Sequence, residues 1–228
     1  MPSQKSSVPT QIDHPHQWYG GRSYAQHGDD FAILNLFHRL KIDKPSYLDV
    51  GAHHPFDLSN TALLYQRNSR GINVEANPAL FAAFEELRPY DINLCVAVGS
   101  EKGVGLLSRF SETSGINTLL PVTKPGINLY DMVSVPITTV DSIVDNCAGG
   151  IWPDFFNLDA EGMDIDILKS IDFDRGGPKV ICAEAVSQQT GDVENELRFL
   201  MLTRGYKVHS WAGNNMLFIR YELEDFCR

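Results

Sequence analysis

The sequence lacks an excess of basic residues, and this absence argues against two classes of partner. It contains 19 Lys and Arg residues against 29 Asp and Glu residues, for a formal net charge of −10. Nucleic acids and anionic membranes are both bound through basic surfaces, so we expect neither as a partner. We also expect no membrane span, because no apolar run approaches roughly 20 residues and the N-terminus has no signal-peptide core.

Cysteines are few and are not paired along the sequence. The four cysteines are Cys95, Cys147, Cys182 and Cys227, and no two of them form a C-x-x-C pair. This spacing supports neither a zinc site nor a disulfide framework, and we therefore expect a reducing, cytoplasmic compartment. The 228 residues, of which 43% are hydrophobic and 21% charged, suit one α/β domain with a substantial core.

The sequence also lacks the full glycine set of a dinucleotide-binding turn. A strand-like run ends in Asp49-Val50-Gly51, and the next four residues are Ala-His-His-Pro, with no further glycine. A dinucleotide needs close backbone approach along its pyrophosphate and bare N–H groups at a helix N-terminus. This turn is too bulky for that. A ligand with a ribose and no pyrophosphate fits better, which favours S-adenosylmethionine over a nicotinamide cofactor.

Acidic residues end the first two strand-like runs, one βα unit apart. Asp49 ends the first run and Glu75 the second. Such a pair around a glycine turn is how an open α/β sheet holds a nucleoside. Gly51 lets the backbone approach the ligand, and the carboxylate of Glu75 can accept both ribose hydroxyl protons. Asp49 is expected to face the cofactor's cationic end, directly or through water; the alternative is an ordinary turn with a capping acid.

Strands and helices alternate along most of the chain, which predicts a mainly parallel sheet. Residues 1–22 are polar and are expected to form a loose arm before a single domain of residues 23–228. The first helix is expected to be capped by Asp29 or Asp30, and residues 99–135 to form a functional loop or a small β insertion. The predicted strands are 47–50, 72–75, 94–98, 155–159, 179–184 and an antiparallel pair at 206–209 and 216–219.

A series of short motifs resembles the FkbM-type methyltransferases. In chain order they are Ser23–Asp30, Tyr47–Pro55, Ser59–Thr61, Gly71–Pro78, Gly115–Thr118, Asn157–Asp164, Val180–Glu184 and Asn215–Phe218. The strongest is Asp159-Ala160-Glu161-Gly162, similar to the family's Asp-x-Glu-Gly signature. The sequence departs from the family at His53, where Asn is frequent, and at Ala76, where Pro is frequent.

This resemblance implies a Rossmann-like class I methyltransferase fold, with a mainly parallel seven-stranded sheet and a C-terminal antiparallel hairpin. It also implies S-adenosylmethionine as the cofactor. The residues expected to contact that cofactor are Gln26, Asp49, Gly51, Ala52, His53, Glu75, Ala76, Ala97 and Asp159.

Candidate catalytic residues follow from where open α/β sheets bind ligands, at the carboxyl ends of their strands. Asp159 ends the fourth strand and is expected to accept the proton of the acceptor hydroxyl or to bind a metal ion. Glu161 is a second candidate; alternatively it is a charge matched to the N-terminus of the next helix. His54 could take a hydroxyl proton near neutral pH, or it could cap the helix start or pack against Pro55.

A divalent metal ion is a further possibility at the same edge. Glu184 ends the fifth strand, beside Asp159. Carboxylates on adjacent strands suit Mg²⁺ or Mn²⁺, and such an ion can acidify a hydroxyl. The alternative for Glu184 is a solvated strand end.

The sequence therefore predicts an S-adenosylmethionine-dependent O-methyltransferase. The family resemblance implies as acceptor a hydroxyl of a saccharide or a glycosylated small molecule. Alternatives are an N- or carboxyl-directed methyltransferase, and a cofactor-binding module that has lost catalysis and serves as an assembly partner. The sequence indicates no oligomeric state.

Overall fold

The structure is a computed structural model, and it describes residues 17–18, 21–121, 128–187 and 191–223. Most of the predicted arm, residues 1–22, lies outside the described residues. The strands, in chain order, are β1 (Gln17–Trp18), β2 (Gly21–Arg22), β3 (Tyr47–Val50), β4 (Gly71–Val74), β5 (Ile92–Leu94), β6 (Ala97–Val98), β7 (Gly103–Arg109), β8 (Asp131–Thr138), β9 (Phe155–Leu158), β10 (Val180–Glu184), β11 (Val186–Ser187), β12 (Gly191–Asp192), β13 (Tyr206–Ala212) and β14 (Asn215–Arg220).

Six α-helices connect these strands. They are α1 (Asp29–Arg39), α2 (Ala62–Gln66), α3 (Pro78–Leu87), α4 (Val140–Cys147), α5 (Asp164–Ser170) and α6 (Glu194–Thr203), with a short 3₁₀ helix at Phe173–Arg175. Two starts follow directly from local chemistry. Asn77 accepts a hydrogen bond from the Ala79 amide before Pro78 opens α3, and Thr139 accepts one from the Ser142 amide at the start of α4.

Seven strands form one central sheet in the order β13-β14-β10-β9-β3-β4-β5. The neighbours from β10 to β5 are all parallel, and β14 runs antiparallel to both β10 and β13. This arrangement confirms the predicted mainly parallel seven-stranded sheet with a C-terminal antiparallel hairpin. Because parallel strands end at the same edge, the turns after β3, β4, β9 and β10 lie together.

Two local predictions differ from the structure. The predicted strand 94–98 is divided: β5 ends in the central sheet at Leu94, and β6 pairs with β8 in a separate three-stranded sheet that also contains β7. A continuous apolar run does not reveal that its two halves pair with different sheets. Residues 99–135 therefore contain the expected β insertion.

The start of α1 is the second difference. Gly28 occupies the N-cap position, and neither Asp29 nor Asp30 does. The carboxylate of Asp30 instead reaches back, where it accepts hydrogen bonds from the Tyr24 amide and the Ser23 hydroxyl, both at 2.7 Å. Asp30 thereby fixes the segment that leads into α1.

Helices cover both faces of the central sheet, and each face has its own core. One core joins α4, α5 and α6 to residues such as Leu48 and Phe156. The other joins α1 and α2 to the alternate residues, such as Tyr47 and Phe155. This is the period of two that strands impose. No helix in the described part of the chain has the length and apolar character that crossing a membrane requires.

A row of polar side chains crosses the α1 and α2 face of the sheet. The register places these residues side by side on β10, β9, β3, β4 and β5, and they are Cys182, Asn157, Asp49, Asn73 and Asn93. The amide of Asn157 donates to Asp49 at 2.8 Å, and that of Asn73 donates to Asn93 at 2.9 Å. Four of these five residues lie one position before the last residue of their strand, close to the strand ends where ligands bind in such sheets.

Arg88 is the central cation of this face. It follows α3 directly and its side chain is fully buried. Its guanidinium donates to the hydroxyls of Ser59 and Thr61, to the side-chain oxygen of Asn73 and to the carbonyl of Pro55. Arg88 thus ties the segment between β3 and α2 to the sheet.

Removing the Arg88 side chain should therefore destabilise the protein strongly. Arg88→Met leaves four buried acceptors without their donor, and we expect a loss of about 3–5 kcal/mol in the free energy of unfolding. Urea unfolding followed by circular dichroism measures this loss. Arg67→Met is the matched control, because Arg67 is exposed, and it should change stability by less than about 0.5 kcal/mol. Equal effects of the two substitutions would contradict the role given to Arg88.

Candidate functional site

A cavity of about 180 Å³ opens at the carboxyl ends of the parallel strands. The turns after β3, β4, β9 and β10 all contribute to its wall. Most of the residues predicted for the site line it, namely Gln26, Gly51, His53, Glu75, Ala76, Ala97, Asp159, Glu161 and Glu184. Asp49, Ala52 and His54 are not among its lining residues.

Gly51 is required by the closeness of two strand ends. Its φ angle is 74°, and a Cβ atom at this position would lie 1.7 Å from the backbone oxygen of Asp159. The neighbouring backbones are also hydrogen-bonded, since the Asp159 amide donates to the Val50 carbonyl at 3.0 Å. Only glycine allows this contact and this conformation together. The contact brings the ends of β3 and β9 to the same point of the cavity.

The backbone amides of this turn are already engaged within the protein. The amides of Gly51 and Ala52 both donate to the carbonyl of Val74, at 3.0 and 3.1 Å. The next amide, that of His53, donates to the carboxylate of Glu75 at 2.8 Å. A phosphate group binds where consecutive amides point outward unpaired. This turn has no such set of three amides.

Glu75 is a buried carboxylate at the cavity wall. It is 7% exposed, and its second oxygen accepts a hydrogen bond from the Asn77 amide at 2.7 Å. Burial raises its pKa to about 7, against the opposing effect of the Asn77 and His53 amides. Glu75 thus holds the turns after β3 and β4 together while it faces the cavity.

The two histidines of the turn have different positions. His53 lines the cavity in a left-handed conformation (φ 54°), and its Nδ1 atom is buried without a hydrogen-bond partner in the described part of the chain. Burial lowers its pKa, so the ring is neutral near pH 7. His54 lies outside the cavity lining, and its Nδ1 accepts a hydrogen bond from the Phe56 amide at 3.2 Å. The role of His54 as a proton acceptor therefore stays a prediction.

Asp49 lies behind the cavity wall. It is 1% exposed, and its two oxygens accept hydrogen bonds from Thr61 and Asn157, at 2.5 and 2.8 Å. Burial raises its pKa, while these donors and the nearby Arg88 lower it. Both oxygens are engaged with Thr61 and Asn157, and the contact of Asp49 with a cofactor, directly or through water, stays a prediction. Ala52 is likewise buried, at 3% exposed.

The segment after β9 forms a tight turn against the cavity. Glu161 and Gly162 follow each other with φ angles of 48° and 98°, and a left-handed conformation is uncommon for a non-glycine residue. The hydroxyl of Thr118, from the β insertion, donates to the Glu161 carbonyl at 2.9 Å. Glu161 precedes α5, which begins at Asp164, so it lies outside the first turn of that helix.

Asp159 lines the cavity and carries a buried oxygen, Oδ1, without a hydrogen-bond partner among the residues that the structure describes. Burial raises the pKa of Asp159, and the charge of Asp49 raises it further. A half-buried carboxyl group with a raised pKa at a cavity wall is a suitable acceptor for a proton.

Asp159 and Glu184 end adjacent parallel strands, as expected, because Leu158 pairs with Ala183 in the register. Both residues line the cavity. Within residues 17–18, 21–121, 128–187 and 191–223, however, no three His, Cys, Asp or Glu side chains form a group that could hold a metal ion. The donor set of the described chain is therefore two carboxylates at most.

Several residues of the site had no motif to reveal them. Arg88 follows a helix end, where an arginine is ordinary, and only the fold brings it under the sheet. Asn73 and Asn157 carried a usable signal, because each is a polar residue in an otherwise apolar strand, one position before the strand end. Read together with Asp49, they predict a polar row across the sheet.

Comparison with known proteins gives one match by family. Residues 49–208 match the family model described as "Methyltransferase FkbM domain". No curated protein matches the chain.

Two solved structures are similar at low identity. Methyltransferase FkbM from Methylobacillus flagellatus KT is 15% identical, with a TM-score of 0.49 over 78% of this chain and 44% of that chain. Precorrin-6y C5,15-methyltransferase from Geobacter metallireducens GS-15 is 14% identical, with a TM-score of 0.42 over 87% of this chain and 90% of that chain. The present chain thus spans less than half the length of the first of these.

Adding a side chain at Gly51 should separate the two strand ends. Gly51→Ala combines left-handed strain of about 1–2 kcal/mol with displacement of Asp159, and we expect a total loss of about 3–5 kcal/mol in the free energy of unfolding. Gly149→Ala is the control, because Gly149 has a similar φ of 62° and nothing within 4 Å of the added atom. In urea unfolding, Gly149→Ala should lower the free energy of unfolding only by the left-handed strain, about 1–2 kcal/mol. Similar losses for both variants would refute the close contact with Asp159.

Proposed function

This chain belongs to the FkbM methyltransferase family, and from that premise we propose that it uses S-adenosylmethionine to methylate a hydroxyl group. The proposed acceptor is a saccharide or a glycosylated small molecule. The observation that carries the proposal is Glu75, a buried carboxylate that ends β4 on the wall of the cavity beside the Gly51 turn. A carboxylate in this position can accept hydrogen bonds from both hydroxyls of a ribose.

The turn after β3 supports a cofactor without a pyrophosphate. Its first three amides donate to Val74 and Glu75, so they offer no cradle for phosphate oxygens. Because Gly51 has no Cβ, its backbone packs directly against that of Asp159 and no side chain at this position projects into the cavity. These features suit a nucleoside such as that of S-adenosylmethionine, which Gly51, His53, Glu75, Ala76 and Ala97 would hold.

The chemistry then needs a proton acceptor beside the acceptor hydroxyl. The cofactor, when bound, supplies a methyl group on a positively charged sulfonium. Asp159 is the residue we propose as the proton acceptor, because its Oδ1 atom lacks a partner in the described part of the chain and its pKa is raised by burial. The Gly51 contact holds the Asp159 backbone in place, and the protein's contribution is alignment and proton removal.

A divalent metal ion at Asp159 and Glu184 is the second arrangement that the adjacent strand ends favour. The described residues supply two carboxylates, whereas Mg²⁺ takes six oxygen ligands, several of which can be water. Glu161 has no assigned step in this scheme; its left-handed turn positions the segment that carries Asp159.

Replacing the Glu75 carboxylate should weaken cofactor binding. Glu75→Gln keeps the size of the side chain but removes its charge, and we expect the affinity for S-adenosylhomocysteine to fall by about 1.5–3 kcal/mol in calorimetry. Glu86→Gln, an exposed residue on α3, is the matched control and should leave the affinity unchanged. NAD should not bind the wild-type protein.

The same experiment has a pH dependence with a defined sign. Glu75 has a pKa of about 7 in the empty protein, and ribose hydroxyls prefer the ionised form. The affinity for S-adenosylhomocysteine should therefore rise as the pH increases toward 7 and then level off, and Glu75→Gln should remove that dependence. A flat affinity profile for the wild-type protein would remove Glu75 from the binding site.

The free energy of unfolding of the empty protein depends on pH in the opposite direction. The contribution of Glu75 to it is fully present below about pH 4.5 and is lost as the pH rises through about 7.

Turnover should depend on the Asp159 carboxylate. Asp159→Asn keeps the shape of the side chain without its basicity, so we expect normal binding of S-adenosylhomocysteine and a loss of turnover on the order of 10²–10⁴-fold. The assay is mass spectrometry of a panel of saccharides and glycosylated compounds, read as the gain of one methyl group.

Metal removal distinguishes the two roles for Asp159. If Asp159 is only a base, excess EDTA leaves the wild-type rate unchanged. If Asp159 and Glu184 hold an ion, EDTA abolishes turnover, added Mg²⁺ or Mn²⁺ restores it, and cofactor affinity barely changes. A near-normal rate for Asp159→Asn would exclude both roles.

A further inference from the structure

A second cavity, of about 240 Å³, lies beside the first. Glu184 lines both cavities, so the two adjoin at the carboxyl end of β10. The segment after β9 forms the partition between them: Asp159 and Glu161 line the first cavity, whereas Gly162 and Asp164 line the second. The second cavity is therefore a neighbour of the proposed methyl-transfer site.

Asp164 is a buried carboxyl group in this second cavity. It is 4% exposed, and its Oδ1 atom accepts a hydrogen bond of 3.4 Å from the Ala160 amide. Its Oδ2 atom has no hydrogen-bond partner in the part of the chain that the structure describes. A buried carboxylate is unfavourable unless a cation or hydrogen-bond donors compensate it. Among the described residues of this wall, the one cation is Lys169, and it pairs with Glu196.

The charges around the second cavity also favour a positively charged ligand. Its lining contains four acidic residues and one basic residue, namely Asp164, Asp166, Glu184, Glu196 and Lys169. The ammonium of Lys169 is already paired with Glu196 at 2.8 Å, and that pair is exposed on both sides. Burial and the charge of Asp159 also raise the pKa of Asp164. The cavity is therefore suited to a positively charged group.

We propose that the second cavity binds a protonated amino group of the methyl acceptor, with Asp164 as its counter-ion and Glu184 beside it. This inference rests on the proposed methyltransferase function and narrows its substrate class to amine-bearing saccharides or glycosylated molecules. A protonated amine has no free electron pair, so it anchors the acceptor and is not itself methylated. A hydroxyl on the same molecule then reaches Asp159 across the shared wall at Glu184.

An ammonium group fits the described residues better than a metal ion does. An ammonium has three donors and can be held by one or two carboxylates. A hard divalent cation takes six or more oxygen ligands, and the described residues contain no group of three suitable side chains. A metal ion in this cavity is therefore the competing outcome that the experiment has to separate.

The test compares two sugars that differ at one position. Glucosamine carries an ammonium near neutral pH, and glucose carries a hydroxyl at the same carbon. Calorimetry on the protein saturated with S-adenosylhomocysteine should give an affinity for glucosamine about tenfold or more above that for glucose. Asp164→Asn should abolish this preference, and it should fold, because the amide can still accept from the Ala160 amide.

Asp43→Asn is the matched control for loss of one carboxylate. Asp43 is exposed and precedes β3, so it lies at the opposite edge of the sheet from the cavity. The glucosamine preference should survive in this variant. Glu184→Gln should reduce the preference, which provides a second variant at the cavity.

Three results would overturn the inference. The first is equal affinity for the two sugars, or a preference that persists in Asp164→Asn. The second is binding of Mg²⁺ or Mn²⁺ alone to the wild-type protein but not to Asp164→Asn, which would make the cavity a metal site. The third is a loss of S-adenosylhomocysteine affinity in Asp164→Asn, which would assign Asp164 to the cofactor. A wild-type protein that does not bind S-adenosylhomocysteine would instead overturn the proposed function itself.

Discussion

The buried guanidinium of Arg88 is the constraint on which the site depends. It donates to Pro55, Ser59 and Thr61 on one side and to Asn73 on the other, so one cation fixes the segment between β3 and α2 to the sheet. Thr61 in turn donates to Asp49, which ends the chain of contacts under the cavity. A buried cation is costly alone and favourable only when its donors are used, which makes this arrangement all-or-none. The turn above it is therefore held rigidly enough to position a ligand.

The carboxyl groups around the cavities differ from Arg88, because their burial is only partly compensated by hydrogen bonds. Burial raises the pKa of Glu75 to about 7, and it raises the pKa values of Asp159 and Asp164 as well. Each of these groups makes the empty protein less stable as the pH rises through its folded-state pKa. Arg88 donates four hydrogen bonds beneath the site, whereas the acids of the cavity walls are buried with fewer donors: Glu75 accepts from two amides and Asp164 from that of Ala160. Such local costs are characteristic of functional sites.

How much of this arrangement the sequence predicts depends on how far apart along the chain the interacting residues lie. Most strand and helix positions, the hairpin and the acidic residue Glu75 directly after β4 follow from local patterns, and the structure has them, whereas the division of the strand 94–98 does not follow from such patterns. The position of Asp49 follows from strand alternation: Leu48 and Val50 face one core, so Asp49 faces the polar row on the other side. Arg88 depends on contacts 15 to 33 residues away along the chain, and no local pattern encodes them.

The sheet resembles a dinucleotide fold in topology, but its first turn does not offer a phosphate a set of unpaired amides. The hydrogen bonds of the turn amides explain this difference. In a glycine-rich turn, small residues leave successive amides pointing outward toward an anion. Here the amides of Gly51 and Ala52 donate to Val74, and that of His53 donates to Glu75. The carboxylate that would bind a ribose is thus the same group that occupies the third amide. The proposed preference for a nucleoside over a pyrophosphate thus depends on three hydrogen bonds, two to Val74 and one between His53 and Glu75.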